Sequence, residues 1–369
     1  MTEESISHLT VAMTTQEIEK TQTTSGNGMT SSFKYLFTIH FYLKLAVIVM
    51  GVIGAAGNAV ILYALYASKQ HKKHALIVNQ NALDFCGSFF LVIIYLAQIS
   101  EPKLSGVLGY WLCILIFSEN LIWSPINGSM VNLAVITIDR YLKVVYPAFS
   151  RKWIRPRVIY CAMAFSWFVG FVFNTVTIFF TSKVTDETDI DHNPGMCISY
   201  EIFSSHGAAI FASLSYFLLF YVVVFAIFIF CYWRILLTIR RQAKVMASHS
   251  QTGPSNASQA QSHRIQTNVV KTMVFVSAFY AIAWLPYGLY SLLTSAFLPS
   301  LSYIDSAFYV TTFIAFLYTT TNPFIYATKF DPVREVLVKM IPCMKNTVQP
   351  TVAVGAVNAA PRPAAKRDG

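Results

Sequence analysis

Charge is scarce in this chain. Only 12% of its 369 residues are Asp, Glu, Lys or Arg, and 55% are hydrophobic; a soluble domain carries about 25% charged residues. The length would allow two soluble domains, but this composition cannot clothe their surfaces. Acidic side chains are the rarer sign, 17 against 27 Lys and Arg, leaving a formal net charge of +10. Metal-ligand spacings, a nucleophile elbow and a phosphate-binding loop are all missing, which argues against an enzyme. Residues 1–32 are polar, Ser/Thr-rich and without an apolar stretch. No cleavable leader is therefore expected there, and the first apolar run would serve as its own insertion signal.

Long apolar runs are abundant instead. Crossing about 30 Å of hydrocarbon takes about 20 mostly apolar residues in a helix. Seven segments qualify: Tyr42–Leu65, Leu76–Gln98, Leu112–Val135, Val158–Phe180, Ala208–Phe230, Val269–Leu293 and Tyr303–Tyr326. Lipid offers no partner to a free N–H or C=O, so each must be helical. The predicted fold class is all-α integral membrane, a seven-transmembrane helix bundle. No internal repeat or facing set of intramembrane charges marks a transporter, which stays a remote alternative.

The basic residues orient the chain. All but Lys20, Lys34, Lys44, Lys103 and Lys183 fall in alternate connections or in the C-terminal segment. The positive-inside rule then puts the N-terminus outside and the C-terminus in the cytoplasm. The net charge reports topology, not nucleic-acid binding. The expected organisation is an extracellular tail over 1–40, a helical bundle over 41–329, an amphipathic helix with a lipidation site over 330–345, and a disordered tail over 346–369. Residues 246–263 read as a flexible cytoplasmic loop. The sequons at Asn127 and Asn256 fall in the third span and in that loop, so neither is expected to be glycosylated.

Topology also sorts the six cysteines. Cys86 and Cys161 lie within spans, Cys231 at an inner end and Cys343 in the cytoplasm. Only Cys113 and Cys197 share the oxidising side, so they are expected to pair.

Short strings then accumulate in order: Gly57-Asn58 in the first span, Asp84 in the second, Asp139-Arg140-Tyr141 ending the third and Trp167 in the fourth. Trp284-Leu285-Pro286 follows in the sixth and Asn322-Pro323-Phe324-Ile325-Tyr326 in the seventh. Together they resemble the rhodopsin-like G-protein-coupled receptors over about residues 40–345. The resemblance implies a receptor that couples through Asp139, Arg140, Tyr141, Tyr232 and Tyr326, and that switches through Trp284, Pro286, Asn322 and Pro323 as the sixth span swings outward. Asp84, Ser129 and Asn322, with Asn58, are oxygen-bearing groups suited to a sodium ion. A water network without an ion is the alternative, and no other cofactor is implied. A heterotrimeric G protein would be the inner partner, with arrestin and kinases as further ones.

The pattern is departed from in several places. The fifth span has no proline, Tyr280 stands where the family usually has Phe, and Tyr318 where it usually has Asn. Cys113 to Arg140 runs two residues longer than usual, with Pro125 the candidate site for a bulge. No carboxylate lies over 262–268 at the inner end of the sixth span, so Asp139 is the one obvious acidic partner for Arg140, and basal signalling is expected.

After the seventh span, Phe330, Val333, Leu337, Val338 and Ile341 form an apolar stripe, which predicts a short amphipathic eighth helix on the membrane. Cys343 beside it suits palmitoylation, a free thiol being the alternative. The predicted ligand pocket comprises Glu119, Asn120, Trp123, Trp284 and Tyr287. No Lys stands between Tyr303 and Tyr326 to hold retinal, and Asn120 replaces the Asp that amine receptors carry. Asp186, Glu187, Asp189 and Asp191 make the second outer loop acidic. A peptide leads as ligand, an amine follows, and a lipid or ligand-independent activity stays open.

Overall fold

The computed structural model describes residues 28–100, 102–186, 194–199, 206–248, 254–297 and 306–340. Its helices are α1 (Gly28–Ala67), α2 (Ala75–Ser100), α3 (Gly106–Leu112), α4 (Asn120–Val145), α5 (Pro147–Trp153) and α6 (Pro156–Thr181). They continue with α7 (His206–Phe217), α8 (Val224–Ser248), α9 (Pro254–Phe297), α10 (Ser306–Lys329) and α11 (Asp331–Met340). A π-helical turn over Cys113–Phe117 joins α3 to α4, and another over Leu218–Val223 joins α7 to α8. Two short strands, β1 (Ser182–Val184) and β2 (Cys197–Ser199), pair antiparallel with Lys183 opposite Ile198.

Six stretches among the described residues are long and apolar enough to cross a membrane: Phe41–Ala67, Ala75–Ser100, Gly106–Val145, Pro156–Val176, Ser213–Val245 and Thr267–Thr294. The seventh span is α10. Its Thr319-Thr320-Thr321-Asn322-Pro323 run lowers its hydropathy, but it packs between α9 and α1 and turns Tyr318, Thr319, Asn322 and Tyr326 inward. The bundle is polar inside and apolar outside. Asn58, Asn79, Gln80, Asp84, Asn132 and Asn322 are buried, while Val49, Ile53, Phe165, Phe168, Val172 and Leu289 face out. That distribution suits lipid as the surrounding solvent.

α4 lies at the centre, against α2, α6 and α8. Its crossing with α6 is made by small residues: a Cβ on Gly170 would strike the Ser124 carbonyl and lie 2.7 Å from the Gly128 nitrogen. Glycine at that point lets the two backbones touch.

Several expectations change here. The helix of the first span starts at Gly28, inside the segment expected to be an extracellular tail. Of the 246–263 segment read as a flexible loop, 246–248 belong to α8 and 254–263 to α9, and 249–253 lie outside the described residues. Proline is well placed to open a helix, its missing N–H being one of the orphans there, and Asn256-Ala257-Ser258-Gln259-Ala260 continues it without a breaker. Pro125 sits inside continuous α4. The third span is irregular earlier instead, at the π-helical turn Cys113–Phe117, which accommodates one additional residue, and at the left-handed Glu119.

Candidate functional site

The polar interior forms three levels. At the outer level, Cys113 and Cys197 are disulfide-bonded with Cα atoms 5.2 Å apart, fastening β2 to the top of the third span. Cys86, Cys161 and Cys231 are free. Below the π-helical turn the chain breaks at Glu119, which adopts φ 59°. A left-handed backbone at a residue with a side chain costs about 1–2 kcal/mol, and such strain gathers at functional sites. The Glu119 carbonyl restarts the helix by accepting from the backbone N–H of Ile122 and Trp123.

The break aims the Glu119 carboxylate into the bundle. Its oxygens accept from Gln98 Nε2 and Trp123 Nε1, both at 3.1 Å. Trp123 stacks on Tyr287 with ring centres 5.3 Å apart, and also meets Phe316 at 5.5 Å and Trp284 at 6.1 Å. Glu119, Trp123, Trp284 and Tyr287 thus form one cluster, an acid set in aromatic rings. Asn120 does not join it. Its side chain points to α6, accepting from Asn174 Nδ2 at 3.0 Å and donating to Thr175 Oγ1 at 3.1 Å, because the left-handed backbone at Glu119 turns the two neighbouring side chains apart. A separate shallow groove opens between α7, the turn after it and α9, lined by Tyr216, Phe217, Tyr221 and Gly288. It reaches Trp284 and Tyr287 but neither Glu119 nor Trp123. The carboxylate makes the first cluster the better candidate.

At the middle level, Asp84 accepts from Ser129 Oγ at 2.6 Å and from Asn322 Nδ2 at 2.7 Å. Asn58 stays outside this shell, donating instead to the carbonyls of Gly54 and Thr319. Gln80 takes the vacant quarter. Its amide nitrogen lies against Ser129 Oγ, 3.2 Å from the Tyr318 hydroxyl and 3.4 Å from Asp84 Oδ2. Sequence reasoning missed Gln80, although its spacing of four from Asp84 in an apolar span was a usable signal. Asn127, the sequon within the third span, is buried and accepts from the Tyr216 hydroxyl at 3.0 Å.

Between the middle and inner levels two departures from the expected pattern meet. The fifth span has no proline but bends through the π-helical turn Leu218–Val223, and the Phe220 carbonyl in that turn accepts the Tyr280 hydroxyl at 2.8 Å. The Tyr221 hydroxyl donates back to the Ala281 carbonyl at 3.0 Å. A phenylalanine at position 280 could not make the first of these bonds.

At the inner level, Asp139 is held by Lys143, four residues on, at 2.8 Å, while Arg140 Nε is 3.7 Å away. Lys143 was not foreseen as a competitor, although the i, i+4 spacing carries it. Arg140 Nε and the Tyr326 hydroxyl are buried without a hydrogen-bond partner among the described residues, whereas the Tyr232 hydroxyl bonds Thr137 and Ser277. Pro286 and Pro323 lie within α9 and α10, and the Trp284 indole N–H has no partner among the described residues. Tyr141 packs against Tyr146 and Phe230. Beyond the spans, α11 buries Phe330, Val333 and Leu337, with Phe330 edge-on to His74 at 5.0 Å. Ile341, Cys343, Glu187, Asp189 and Asp191 lie outside the described residues. Among the described residues no three His, Cys, Asp or Glu side chains are placed to hold a metal ion.

Comparison with known proteins agrees with this architecture. Residues 57–326 match the family described as 7 transmembrane receptor (rhodopsin family). Melanopsin-A of Gadus morhua is 25% identical over 311 residues, 83% of this chain and 53% of that protein. Somatostatin receptor type 5 of Rattus norvegicus is 24% identical over 79% of this chain and 75% of its own length. The chain spans about half the length of the two cod melanopsins it matches. Squid rhodopsin superposes with a TM-score of 0.67 at 21% identity, covering 85% of this chain and 88% of that one.

Proposed function

Because the chain belongs to the rhodopsin family of seven-transmembrane receptors and is not an enzyme, we propose that it binds a cationic ligand from outside and activates a heterotrimeric G protein within. In this reading it sits in the plasma membrane, N-terminus outside, with arrestin and kinases as later partners. The observation that carries the ligand class is Glu119. A carboxylate held by neutral donors, making no ion pair among the described residues, lies against Trp123 and within reach of the rings around it. Such a setting favours a cation twice, by charge and by the aromatic faces.

A peptide with a basic group is the first choice and a biogenic amine the second. The acidic stretch Asp186, Glu187, Asp189 and Asp191 supports the peptide by steering a positively charged ligand toward the mouth. The likeness to melanopsins carries no retinal chemistry over, since the seventh span has no Lys before Lys329 at its inner end. Signal transfer would run from the rings around Trp284, through the kink at Pro286, to Arg140.

The test is nucleotide exchange on purified G protein by the receptor in nanodiscs, challenged with basic peptides and with amines. Glu119→Gln should lower the potency of an active ligand at least about tenfold, worth about 1.4 kcal/mol, with surface expression unchanged. Equal potency on the mutant would remove the counter-ion reading, and failure of every cationic class would remove the ligand class.

A further inference from the structure

We propose that the side-chain amide of Gln80, oriented by a relay of amides beginning at Trp167, occupies the place of a cation beside Asp84, so that this receptor takes up no sodium at its midplane carboxylate. The argument concerns polarity. Two groups at the far end of the relay have fixed roles: an indole N–H only donates, and a backbone carbonyl only accepts. Trp167 Nε1 donates to Asn79 Oδ1 at 2.9 Å, which leaves the Asn79 NH₂ to face α4. That NH₂ donates to Asn132 Oδ1 at 2.9 Å. The Asn132 NH₂ in turn donates to the Leu76 carbonyl at 3.0 Å and to Gln80 Oε1 at 2.8 Å. The Gln80 oxygen is thereby engaged, and its NH₂ is aimed at Asp84. Turning any one amide over would set donor against donor or acceptor against acceptor, so the network dictates the orientation.

At the near end, the Gln80 NH₂ touches Ser129 Oγ and lies 3.2 Å from the Tyr318 oxygen and 3.4 and 3.5 Å from the two Asp84 oxygens. A hard cation needs lone pairs from such oxygens. Here Ser129 gives its proton to Asp84, Asn322 presents an NH₂ to the same carboxylate, and Gln80 presents another. Binding an ion would require displacing one amide and reversing the other. The residues present do not fit sodium. The buried carboxylate instead finds its compensating positive edge inside the chain, as buried charge must.

The experiment measures the thermal midpoint of the purified, ligand-free receptor in sodium chloride and in choline chloride at equal ionic strength. The wild-type midpoint should differ by less than about 1 °C, since a ligand that does not bind the folded state cannot stabilise it. In Gln80→Leu the amide is gone and the Asp84 and Ser129 oxygens are open, so a saturable, sodium-specific rise should appear. Should that variant not fold, Gln80→Ala, which also removes the amide and leaves the oxygens open, provides the same reading. A saturable sodium response in the wild-type receptor, or a folded variant as indifferent to sodium as the wild type, would overturn the proposal.

Discussion

The middle and the inner end of the bundle handle buried polarity in opposite ways. Around Asp84, donors from α2, α4 and α10 converge on one carboxylate, and a chain of amides extends the network to Trp167 on α6. Ten residues along α4 from Ser129 toward the cytoplasm, Asp139 divides between Lys143 and Arg140, while Arg140 Nε and the Tyr326 hydroxyl lack hydrogen-bond partners among the described residues. Unpaired buried groups are costly; at the inner end they include the switch residues Arg140 and Tyr326, while in the middle Asn58 Oδ1 and Asn322 Oδ1 are left beside a carboxylate that is itself fully engaged. The converging donors around Asp84 favour one arrangement, and the divided ion pairing at Asp139 leaves a second within reach.

Asn132→Leu should have the largest effect. It strips Asn79, Gln80 and the Leu76 carbonyl of a partner at once, and at 1–3 kcal/mol for each stranded group the loss should be on the order of 3–5 kcal/mol. Thermal unfolding of the purified receptor checks it. A change below about 1 kcal/mol would show that the middle is not the rigid part.

The inner end should respond in signalling more than in stability. With no carboxylate at 262–268 and Asp139 engaged by Lys143, ligand-free activity should be appreciable. Gln266→Glu should lower it, on the order of tenfold for a 1–2 kcal/mol pair. Lys143→Ala, which leaves Asp139 to Arg140, should lower it too. G-protein activation at matched surface expression measures both. Background activity in the wild-type receptor would mean that Arg140 is restrained by other means.

Tyr280→Phe tests the link between the two regions. It leaves the Phe220 carbonyl without that hydroxyl and loosens α9 from the fifth span, so basal activity should rise by several-fold, for a bond worth about 1 kcal/mol. The same assay decides the sign.

The smallest expected effect is one of pH. His74, outside the spans, is buried against Phe330, and burial first, then the charges of Arg140, Lys73 and Lys143, lower its pKa from 6.5 to about 3. The folded receptor therefore binds its proton later than the unfolded chain. Its contribution is complete above pH 6.5 and is lost as pH falls below that value. Between pH 7 and 5.5 the loss should be on the order of 1 kcal/mol. A thermal midpoint as pH-dependent in His74→Leu as in the wild type would remove His74 as the cause.

Much of this was legible in the chain itself. Apolar runs of about 20 residues can only be helices in lipid, and compartment alone paired Cys113 with Cys197. Local composition likewise made Asp84, Arg140 and Pro286 candidates, since intramembrane charge and helix-breaking proline are rare enough to be informative. The structure alone decided what depends on rotation about a helix axis and on neighbours distant in sequence. Asn120 and Glu119 are adjacent, but the left-handed turn at Glu119 sends one to α6 and the other into the rings. Gln80 reads as one of three successive polar residues, Asn79-Gln80-Asn81, until Asn132 and Trp167, 52 and 87 positions away, orient its amide toward Asp84. A hydrogen bond's direction belongs to the network that closes around it, and that network exists only once the spans have packed.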